Sequence, residues 1–369
     1  MLIALRKLFR KFLPARLNYL IYRYRLRHRI VKGPPEGLDL RTLNELCLDH
    51  LGESLRHVSH VHISYWKSFG AFRLLLQTER GQYWSLIYKN AIYDPAHIPA
   101  LTGLPILPGP PEYFVYSHRQ GALAQYLPAV YLCLEVTPGR HYQYLLEDVM
   151  QEYRKVQYDS TDILNAAAEL PALHRAMSEW SLVAGQDHLL RFDREFSTAL
   201  LDYVRGNLER YLQQTANKAV SEIYKLWPQI SELHQRQEFY DIRTIRPIHG
   251  DYNTANIYIH VRNMRRIKVI DWEWAGLGVA HADLVSLLKR VGPETQQRAL
   301  ASFCEQVNGL SLDEHKRLYR WCQLERGLLD VAFLAKQQME SPRKVDWVPD
   351  YIQASAQQVL YAYQELVRR

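Results

Sequence analysis

Two short stretches near residue 260 restrict how this chain can fold. In "IHGDYNTANIYIH", residues 248–260, an apolar run gives way to a polar loop that contains Asp251, and "NIYIH" resumes the strand-like pattern. In "KVIDWEWAG", residues 268–276, a second apolar run ends at Asp271. Short apolar runs bounded by small and polar residues predict strands. Two such strands would bring Asn256 and Asp271 close together, with Asp251 on the loop beside them.

That arrangement suits phosphoryl transfer. A carboxylate such as Asp251 can orient an acceptor hydroxyl, while the amide oxygen of Asn256 and the carboxylate of Asp271 are hard ligands that can hold Mg2+ against nucleotide phosphates. The alternative is purely structural, with a turn former, a cap and a strand-end residue at these three positions. It requires three independent coincidences, so the chemical interpretation is favoured.

The hydrophobic patterns differ before and after residue 150. Strand-like runs at 61–69, 72–79 and 83–91, with turns at "GAF" and "ERGQ", predict an antiparallel meander, and two more strands flank a "TPGR" turn within 129–149. Beyond this point the spacing of apolar residues is mostly helical. The prediction is an α+β fold, with a five-stranded sheet and one helix followed by a mainly helical region that carries both motifs.

At this point the sequence resembles a known family. "HGDYNTAN" followed by "IDWEWAG" is similar to the aminoglycoside phosphotransferase and choline kinase family, as are "GLGVAHADL" and the Leu-His pair of "AAELPALHRAM". The resemblance implies a two-lobed protein-kinase-like fold, with a small antiparallel-sheet N-lobe, a larger helical C-lobe, and ATP and Mg2+ as cofactors. It implies that Asp251 is the catalytic base, that Asn256 and Asp271 are metal ligands, and that Asp283 braces the catalytic loop. His249 is expected to support that loop structurally.

The nucleotide side of the site is less explicit in the sequence. A kinase-like fold needs a cation on its third strand, and Lys89 in "YWSLIYKNA" lies there, although it could also be an exposed strand-end lysine. Glu112, the first acid of the next helix, is the expected partner of Lys89. Gly70 in "KSFGAF" would belong to the phosphate-covering loop.

The connection between the lobes is predicted at "YLLEDVM", residues 144–150, whose backbone would meet the adenine. Glu147 and Asp148 lie in it, and their simplest interpretation is that both are solvated acids. The complete division is a basic arm at 1–32, a linker with a short helix ("LRTLNELCLDHL") at 33–56, the N-lobe at 57–149 and the C-lobe at 150–369.

The arm at residues 1–32 holds ten Lys or Arg and no acidic residue, whereas the remainder has 36 basic and 39 acidic residues. Its first part places apolar residues on one helical face and cations on the other, as in helices that lie on an anionic membrane surface. A solvated or self-packed extension, a nucleic-acid-binding arm and a transit peptide are the alternatives. Specific nucleic-acid binding is not expected.

Composition is typical of a folded protein, with 47% apolar and 23% charged residues over a length that suggests two lobes. No apolar run approaches the ~18 residues of a membrane span, and no signal peptide is evident. The four cysteines are scattered without metal-binding or disulfide spacing. A cytoplasmic location is expected, with peripheral attachment at the inner face of the membrane if the arm binds lipid.

The expected acceptor is a hydroxyl of a small molecule: a choline-like amino alcohol, a sugar or a lipid-linked sugar. An aminoglycoside is a polycation and would call for an acidic cleft, but residues 285–369 carry 12 basic and 10 acidic side chains. A choline-like cation would need an aromatic cage. The candidates for such a cage are Trp272, Trp274, Trp321, Trp347, Tyr319 and Tyr351.

A hypothesis of a different class is a nucleotide-binding pseudokinase or scaffold that docks to membrane or nucleic acid through the basic arm. The sequence argues against it, because a pseudokinase usually lacks one of the residues that transfer needs. Here the three motif residues Asp251, Asn256 and Asp271 are present together with a lysine in the expected strand.

Overall fold

Six strands form the antiparallel sheet of the N-terminal lobe. They are β1 (Val31–Lys32), β2 (Leu55–His62), β3 (Gly70–Thr78), β4 (Tyr83–Ile92), β5 (Val130–Thr137) and β6 (His141–Glu147). Their order across the sheet is β1-β2-β3-β4-β6-β5, and every neighbouring pair is antiparallel. The β3–β4 and β5–β6 hairpins arise at the predicted "ERGQ" and "TPGR" turns, where Gly81 and Gly139 adopt positive φ angles of 83° and 70°.

The computed structural model describes residues 29–63, 70–93, 102–106, 110–178, 188–234, 245–307, 309–340 and 346–368. Most of the predicted basic arm therefore lies outside the described residues. Its last two residues, Val31 and Lys32, pair with Ser59 and His60 as the edge of the sheet.

Helix α1 (Leu40–Leu51) covers one face of this sheet and has the bounds that the sequence predicts. The Asp39 side chain caps its first turn, and Gly52 ends it in the left-handed conformation. Leu43 and Cys47, on the side of the helix that faces the sheet, are fully buried. The strand residues in this core are Val58, Leu74, Leu76, Leu86, Tyr88 and Leu145.

Two predictions for the first strands are wrong. The strand expected at 61–69 runs instead from Leu55 to His62, and residues 64–69 lie outside the described part of the chain. The expected "GAF" turn is the start of β3, in which Gly70 pairs with Asn90. Three histidines and an arginine break the apolar alternation of β2, whose place is decided by burial under α1 and by pairing with β3.

The second lobe is built mainly of helices. Helix α2 (Pro110–Ser117) lies in the sequence between β4 and β5, and its buried side chains include Glu112. The helices that follow the sheet are α3 (Ser160–Met177), α4 (Arg194–Leu212), α5 (Lys218–Lys225), α6 (Trp227–His234), α7 (His281–Leu288), α8 (Pro293–Gln306), α9 (Leu312–Glu340) and α10 (Val348–Val367). The long helix α9 packs against α4, α7 and α10. No helix of the described ranges is both long and apolar enough to cross a membrane.

Six short strands of this lobe form two three-stranded sheets. They are β7 (Tyr153–Lys155), β8 (Leu190–Arg191), β9 (Ile245–Ile248), β10 (Ile257–His260), β11 (Ile267–Val269) and β12 (Gly276–Val279). The predicted pairing of β10 with β11 is present, with Ile257 opposite Val269, and β12 pairs with β9. Because β9 and β10 flank one polar loop while β11 and β12 flank the other, the two loops lie side by side.

Candidate active site

The loop between β9 and β10 is held by a buried carboxylate. Asp283, in the first turn of α7, accepts hydrogen bonds from the main-chain N–H groups of His249 and Gly250, each at 2.8 Å, and contacts Nε2 of His174 at 2.9 Å. Burial alone would raise the pKa of Asp283, but the hydrogen bond and charge of His174 outweigh it and hold this pKa below its ordinary value. Asp283 therefore fixes the backbone just before Asp251.

Gly250 is required by the close approach of the two loops. Its φ is +78°, and a Cβ placed on it would lie 2.0 Å from the carbonyl oxygen of Trp274. Only glycine can adopt this backbone conformation without strain and leave room for that carbonyl.

His249 lies within the loop, as a supporting residue would. Its Nδ1 accepts the N–H of Asp251 at 3.2 Å, and Nε2 lies 3.1 Å from the carbonyl oxygen of Ile270. Its ring centroid is 4.5 Å from that of Trp272. Burial lowers the pKa of His249, and its ring links the two loops through Nδ1, which accepts from Asp251, and Nε2, which lies at the carbonyl oxygen of Ile270.

Both carboxylate oxygens of Asp251 have a hydrogen-bond donor. Asn256 Nδ2 donates to Oδ2 at 2.9 Å and to the main-chain oxygen of Asp251 at 3.0 Å. Arg326 of α9 donates from Nη2 to Oδ1 at 2.8 Å. The sequence motif contains Asn256, but Arg326 lies 75 positions away and carries no recognisable local pattern.

Lys89 of β4 lies at the junction of the lobes, with its ammonium group surrounded by carboxylates. Its Nζ lies 2.6 Å from Glu112 Oε2, 2.8 Å from Asp271 Oδ1 and 3.8 Å from Glu273 Oε2. Lys89 is buried, and Glu112 is 1% exposed. The structure thus brings together two residues that the sequence analysis paired, and adds Glu273.

Asp271 adopts an unusual backbone conformation. Among the described residues it is the one non-glycine residue with a positive φ, at 69°. Such a conformation is uncommon for a residue with a side chain, and strained residues of this kind cluster at functional sites. The side chain of Asp271 is 39% exposed, and the N–H of the preceding residue, Ile270, donates to the main-chain oxygen of Asn256 at 3.0 Å. The two expected metal ligands therefore lie on adjacent strand ends.

Glu273 is a residue of this cluster to which the sequence analysis gave no role. The hydroxyl of Tyr93 donates to its Oε2 at 3.0 Å and lies 3.3 Å from Glu112 Oε2. Burial, followed by the charge of Asp271, raises the pKa of Glu273 to about 8. Glu273 therefore keeps its proton near neutral pH, and Lys89 faces the carboxylates of Asp271 and Glu112, an excess of negative charge that suits the binding of a cation.

The available oxygen ligands fit magnesium. Both side-chain hydrogen bonds of Asn256 use Nδ2, so Oδ1 is the atom left to face a cation, and the Asp271 carboxylate is partly exposed beside it. In the described part of the chain no three His, Cys, Asp or Glu side chains form a metal cage. Mg2+ commonly takes one or two protein oxygens together with phosphate and water oxygens, so this donor set matches it.

The remaining nucleotide-side predictions have mixed outcomes. Gly70 is the first residue of β3 and not part of a turn, Ala71 and Phe72 follow it in that strand, and residues 67–69 of the expected loop lie outside the described residues. Asp148 is not a solvated acid. It is 1% exposed, its Oδ2 lies 2.7 Å from Arg73 Nε, and Ser85 Oγ donates to it at 2.6 Å. Arg73 and Ser85 belong to β3 and β4, so Asp148 ties the connection between the lobes to the sheet.

The molecule has a two-lobed kinase architecture. It consists of a sheet-based lobe and a helical lobe, with a loop that carries Asp251 and Asn256 and a second loop that carries Asp271 at the junction of the two. A model of the phosphotransferase enzyme family matches residues 116–348, well over half of the chain. The chain belongs to the phosphotransferase enzyme family and is an enzyme of that class. No curated protein sequence matches it.

Solved structures with the same architecture include a choline kinase from Cryptosporidium parvum, with a TM-score of 0.56 at 11% identity over 89% of this chain and 97% of that one. A choline kinase from Streptococcus pneumoniae gives 0.52 at 13% identity over 87% and 98%. A spectinomycin phosphotransferase in complex with ADP and spectinomycin gives 0.54 at 14% identity over 89% and 100%. These similarities confirm the predicted protein-kinase-like α+β fold.

Proposed function

We propose that this enzyme transfers the γ-phosphoryl group of ATP to a hydroxyl of a small molecule. The observation that carries the proposal is the convergence of Asp251, Asn256, Asp271 and Lys89, which are linked by the hydrogen bonds described above at the junction of the lobes. Related folds have been solved with ADP or GDP. A nucleotide held between a lysine and two oxygen ligands is the arrangement that phosphoryl transfer needs.

Each residue has a distinct role in this proposal. Asp251 receives a hydrogen bond from the acceptor hydroxyl, orients its oxygen and takes its proton as the new oxygen–phosphorus bond forms. The bond between the γ-phosphorus and the bridging β,γ-oxygen breaks, and ADP leaves. Asn256, through Oδ1, and Asp271 are the residues that would hold Mg2+, which would supply charge neutralisation at the phosphate oxygens. Lys89 contacts phosphate oxygens and is itself held by Glu112.

The acceptor belongs to the classes that the sequence analysis considers: a choline-like amino alcohol, a sugar or a lipid-linked sugar. Three candidates for an aromatic cage, Trp272, Trp321 and Tyr319, are buried in the core. The ring of Tyr351 already has Lys289 Nζ 4.3 Å and the Arg290 guanidinium 4.4 Å from its centroid. Four of the six cage candidates are therefore buried or already in contact with cations, which favours an uncharged sugar over a quaternary ammonium acceptor.

An acceptor panel tests the proposal. The purified full-length protein is assayed for ADP release with choline, ethanolamine, sugars, a polyprenyl-linked sugar and aminoglycosides, and binding of ATP is measured with and without Mg2+. We expect Mg2+-dependent turnover with one acceptor class. Binding of nucleotide without turnover on any acceptor would instead support the pseudokinase alternative.

Two variants address the residue roles. Asp251→Asn should reduce turnover by roughly 10²-fold or more while leaving the ATP dissociation constant nearly unchanged, as loss of a positioned base does. Asp271→Ala should remove Mg2+-dependent turnover and Mg2+-dependent strengthening of ATP binding. Asp313→Asn, on the exposed start of α9, is the matched control and should behave as wild type. Near-normal turnover in either active-site variant contradicts its assignment.

We also propose that the basic arm attaches the enzyme to anionic membrane. The support is its ten cations and amphipathic spacing against a body in which acids slightly outnumber bases. Because Val31 and Lys32 pair within the sheet, the truncation that tests the proposal removes residues 1–28 only. The truncated enzyme should no longer sediment with phosphatidylserine vesicles and should keep its turnover on a soluble acceptor. Salt-sensitive binding by the intact protein is expected, and binding unaffected by truncation contradicts the proposal.

A further inference from the structure

Arg326 makes a two-point contact with the loop that contains Asp251. Its Nη1 donates to the main-chain oxygen of Gly250 at 2.7 Å, and its Nη2 donates to Asp251 Oδ1 at 2.8 Å. The planar guanidinium therefore spans a backbone carbonyl and the side chain of the next residue. A lysine could not make both contacts, because its ammonium group is a compact donor on a flexible stem.

Asn256 makes the matching contact from the other side. Its Nδ2 reaches both the main-chain oxygen of Asp251 and Oδ2, at 3.0 and 2.9 Å. Each carboxylate oxygen of Asp251 thus receives one donor, and rotation about the bond that carries the carboxylate would break one contact or both. Because a carboxylate oxygen can accept two hydrogen bonds, each retains capacity for one more, from an acceptor hydroxyl.

The Arg326 guanidinium also pairs with a second carboxylate, through a nitrogen other than the two that contact the loop. Arg326 Nε lies 3.4 Å from Asp330 Oδ1, one turn further along α9. Asp330 in turn pairs with Lys289, which follows α7 and lies over the ring of Tyr351. Asp251, Arg326, Asp330 and Lys289 form an alternating chain of charges that connects the loop to α9 and to the end of α7. This chain keeps Arg326 aimed at the loop and lowers the entropy cost of the contact with Asp251.

We propose that Arg326 is a positioning residue for phosphoryl transfer, which holds the Asp251 carboxylate in the plane and rotamer that accept the proton of the incoming hydroxyl. The inference rests on the proposed role of Asp251. It assigns to α9, a helix outside both sequence motifs, a direct part in arranging the reacting groups.

The first experiment separates positioning from nucleotide binding and from stability. In the full-length enzyme, Arg326→Ala should lower kcat by about 10²-fold, the cost of a small misplacement of a reacting group. The ATP dissociation constant should stay within about twofold of wild type, because the contacts of Arg326 are on the Asp251 side of the loop. Arg326→Lys should keep a higher kcat than Arg326→Ala, but a lower one than wild type. Arg320→Ala is the control on the same helix, where the side chain contacts Gln323 and Tyr361.

Chemical rescue gives a readout that a merely structural role would not move. Guanidinium ion at concentrations below those that unfold the protein should restore part of the kcat of Arg326→Ala and leave wild type and Arg320→Ala unaffected. If Arg326→Ala unfolds, Arg326→Lys takes its place in the kcat and ATP measurements. Wild-type kcat in either folded variant overturns the inference, as does a loss confined to ATP binding.

A double-mutant cycle tests whether Arg326 acts through Asp251. In the Asp251→Asn background, Arg326→Ala should cause little further loss of turnover, because the carboxylate that it positions is gone. Fully additive losses would overturn the inference. The outcomes also distinguish the two proposals: wild-type turnover by Asp251→Asn overturns the base assignment itself, whereas a large loss in Asp251→Asn beside an active Arg326→Ala overturns only the role of Arg326.

Discussion

Lys89 Nζ lies 2.8 Å from Asp271 Oδ1, although 182 positions separate the two residues in the chain. This contact joins a strand of the sheet to the loop between β11 and β12 of the helical lobe. Burial alone would lower the pKa of Lys89, but the charges of Asp271, Glu112 and Glu273 raise it well above the usual range. One permanent cation therefore lies among three clustered acids at the junction of the lobes.

Replacing this cation should destabilise the protein in a way that magnesium corrects. In Lys89→Met the three acids lose their cation, and we expect the free energy of unfolding to fall by about 3 kcal/mol. Mg2+ should raise the melting temperature of the variant more than that of wild type, because the metal replaces the missing charge. Thermal unfolding with Mg2+ and with EDTA measures both effects. Lys316→Met, at an exposed pair, is the control, and equal Mg2+ responses in all three proteins would refute the prediction.

Asp283 should be intolerant of the smallest possible change. In Asp283→Asn one carboxylate oxygen becomes an NH2 group that faces a main-chain N–H of His249 or Gly250, so a buried donor loses its acceptor. We expect a loss of about 2–3 kcal/mol in the free energy of unfolding, together with most of the turnover. Urea unfolding and the ADP-release assay measure these quantities. Asp346→Asn, an exposed change, should alter neither, and a stable, active Asp283→Asn would show that the loop does not depend on this brace.

Two glycines allow backbone strain to be separated from steric exclusion. Gly139 has φ of +70°, and a Cβ added there would meet nothing within 4 Å, so Gly139→Ala should cost roughly 1–2 kcal/mol from its left-handed backbone alone. Gly250→Ala carries the same strain and also places its Cβ 2.0 Å from the Trp274 carbonyl oxygen. Its cost should exceed about 4 kcal/mol, the range of exceptional substitutions. If urea unfolding shows that both substitutions lower the free energy of unfolding equally, then the loop of Gly250 can move away from the loop of Trp274 at no cost.

The stability of the protein should depend on pH through Glu325. This residue lines a cavity of about 40 Å³, where burial raises its pKa to about 8 from an ordinary 4.5, against the effect of a hydrogen bond from Ser197. Between these values the folded state keeps a proton that the unfolded state releases. The contribution of Glu325 is therefore complete below about pH 4.5 and is lost as the pH rises through about 8.

Glu325→Gln should remove this dependence, so that the difference in the free energy of unfolding between variant and wild type changes steadily across the window. Ser197→Ala removes a contact that lowers the pKa of Glu325 and should extend the loss of stability to higher pH. Chemical unfolding at several pH values measures both. Parallel pH curves for wild type and Glu325→Gln would exclude Glu325 as the group responsible.

Local sequence was sufficient for the parts of the molecule whose physics is local. Helix α1 has the predicted bounds because apolar periodicity, an N-cap at Asp39 and a terminating Gly52 all act within a few residues of one another. The pairing of β10 with β11 follows from two short apolar runs joined by a tight connection. The spacing of the two motifs was sufficient to predict the family and the fold, because it places the polar ends of two neighbouring strands together.

Tertiary structure decided which distant residues meet. The strand β2 could not be located from its sequence, because its burial depends on α1 and β3 and not on its own alternation. Asp148 is of a residue type that is typical of exposed turns, yet it is buried against Arg73, which lies 75 positions away in the chain. Arg326 lies on a helix whose pattern shows nothing of Asp251. A contact between residues that are distant in the chain does not depend on the helix or strand propensity around either one. It leaves no periodic pattern in the sequence, so only the packing of the whole chain can specify it.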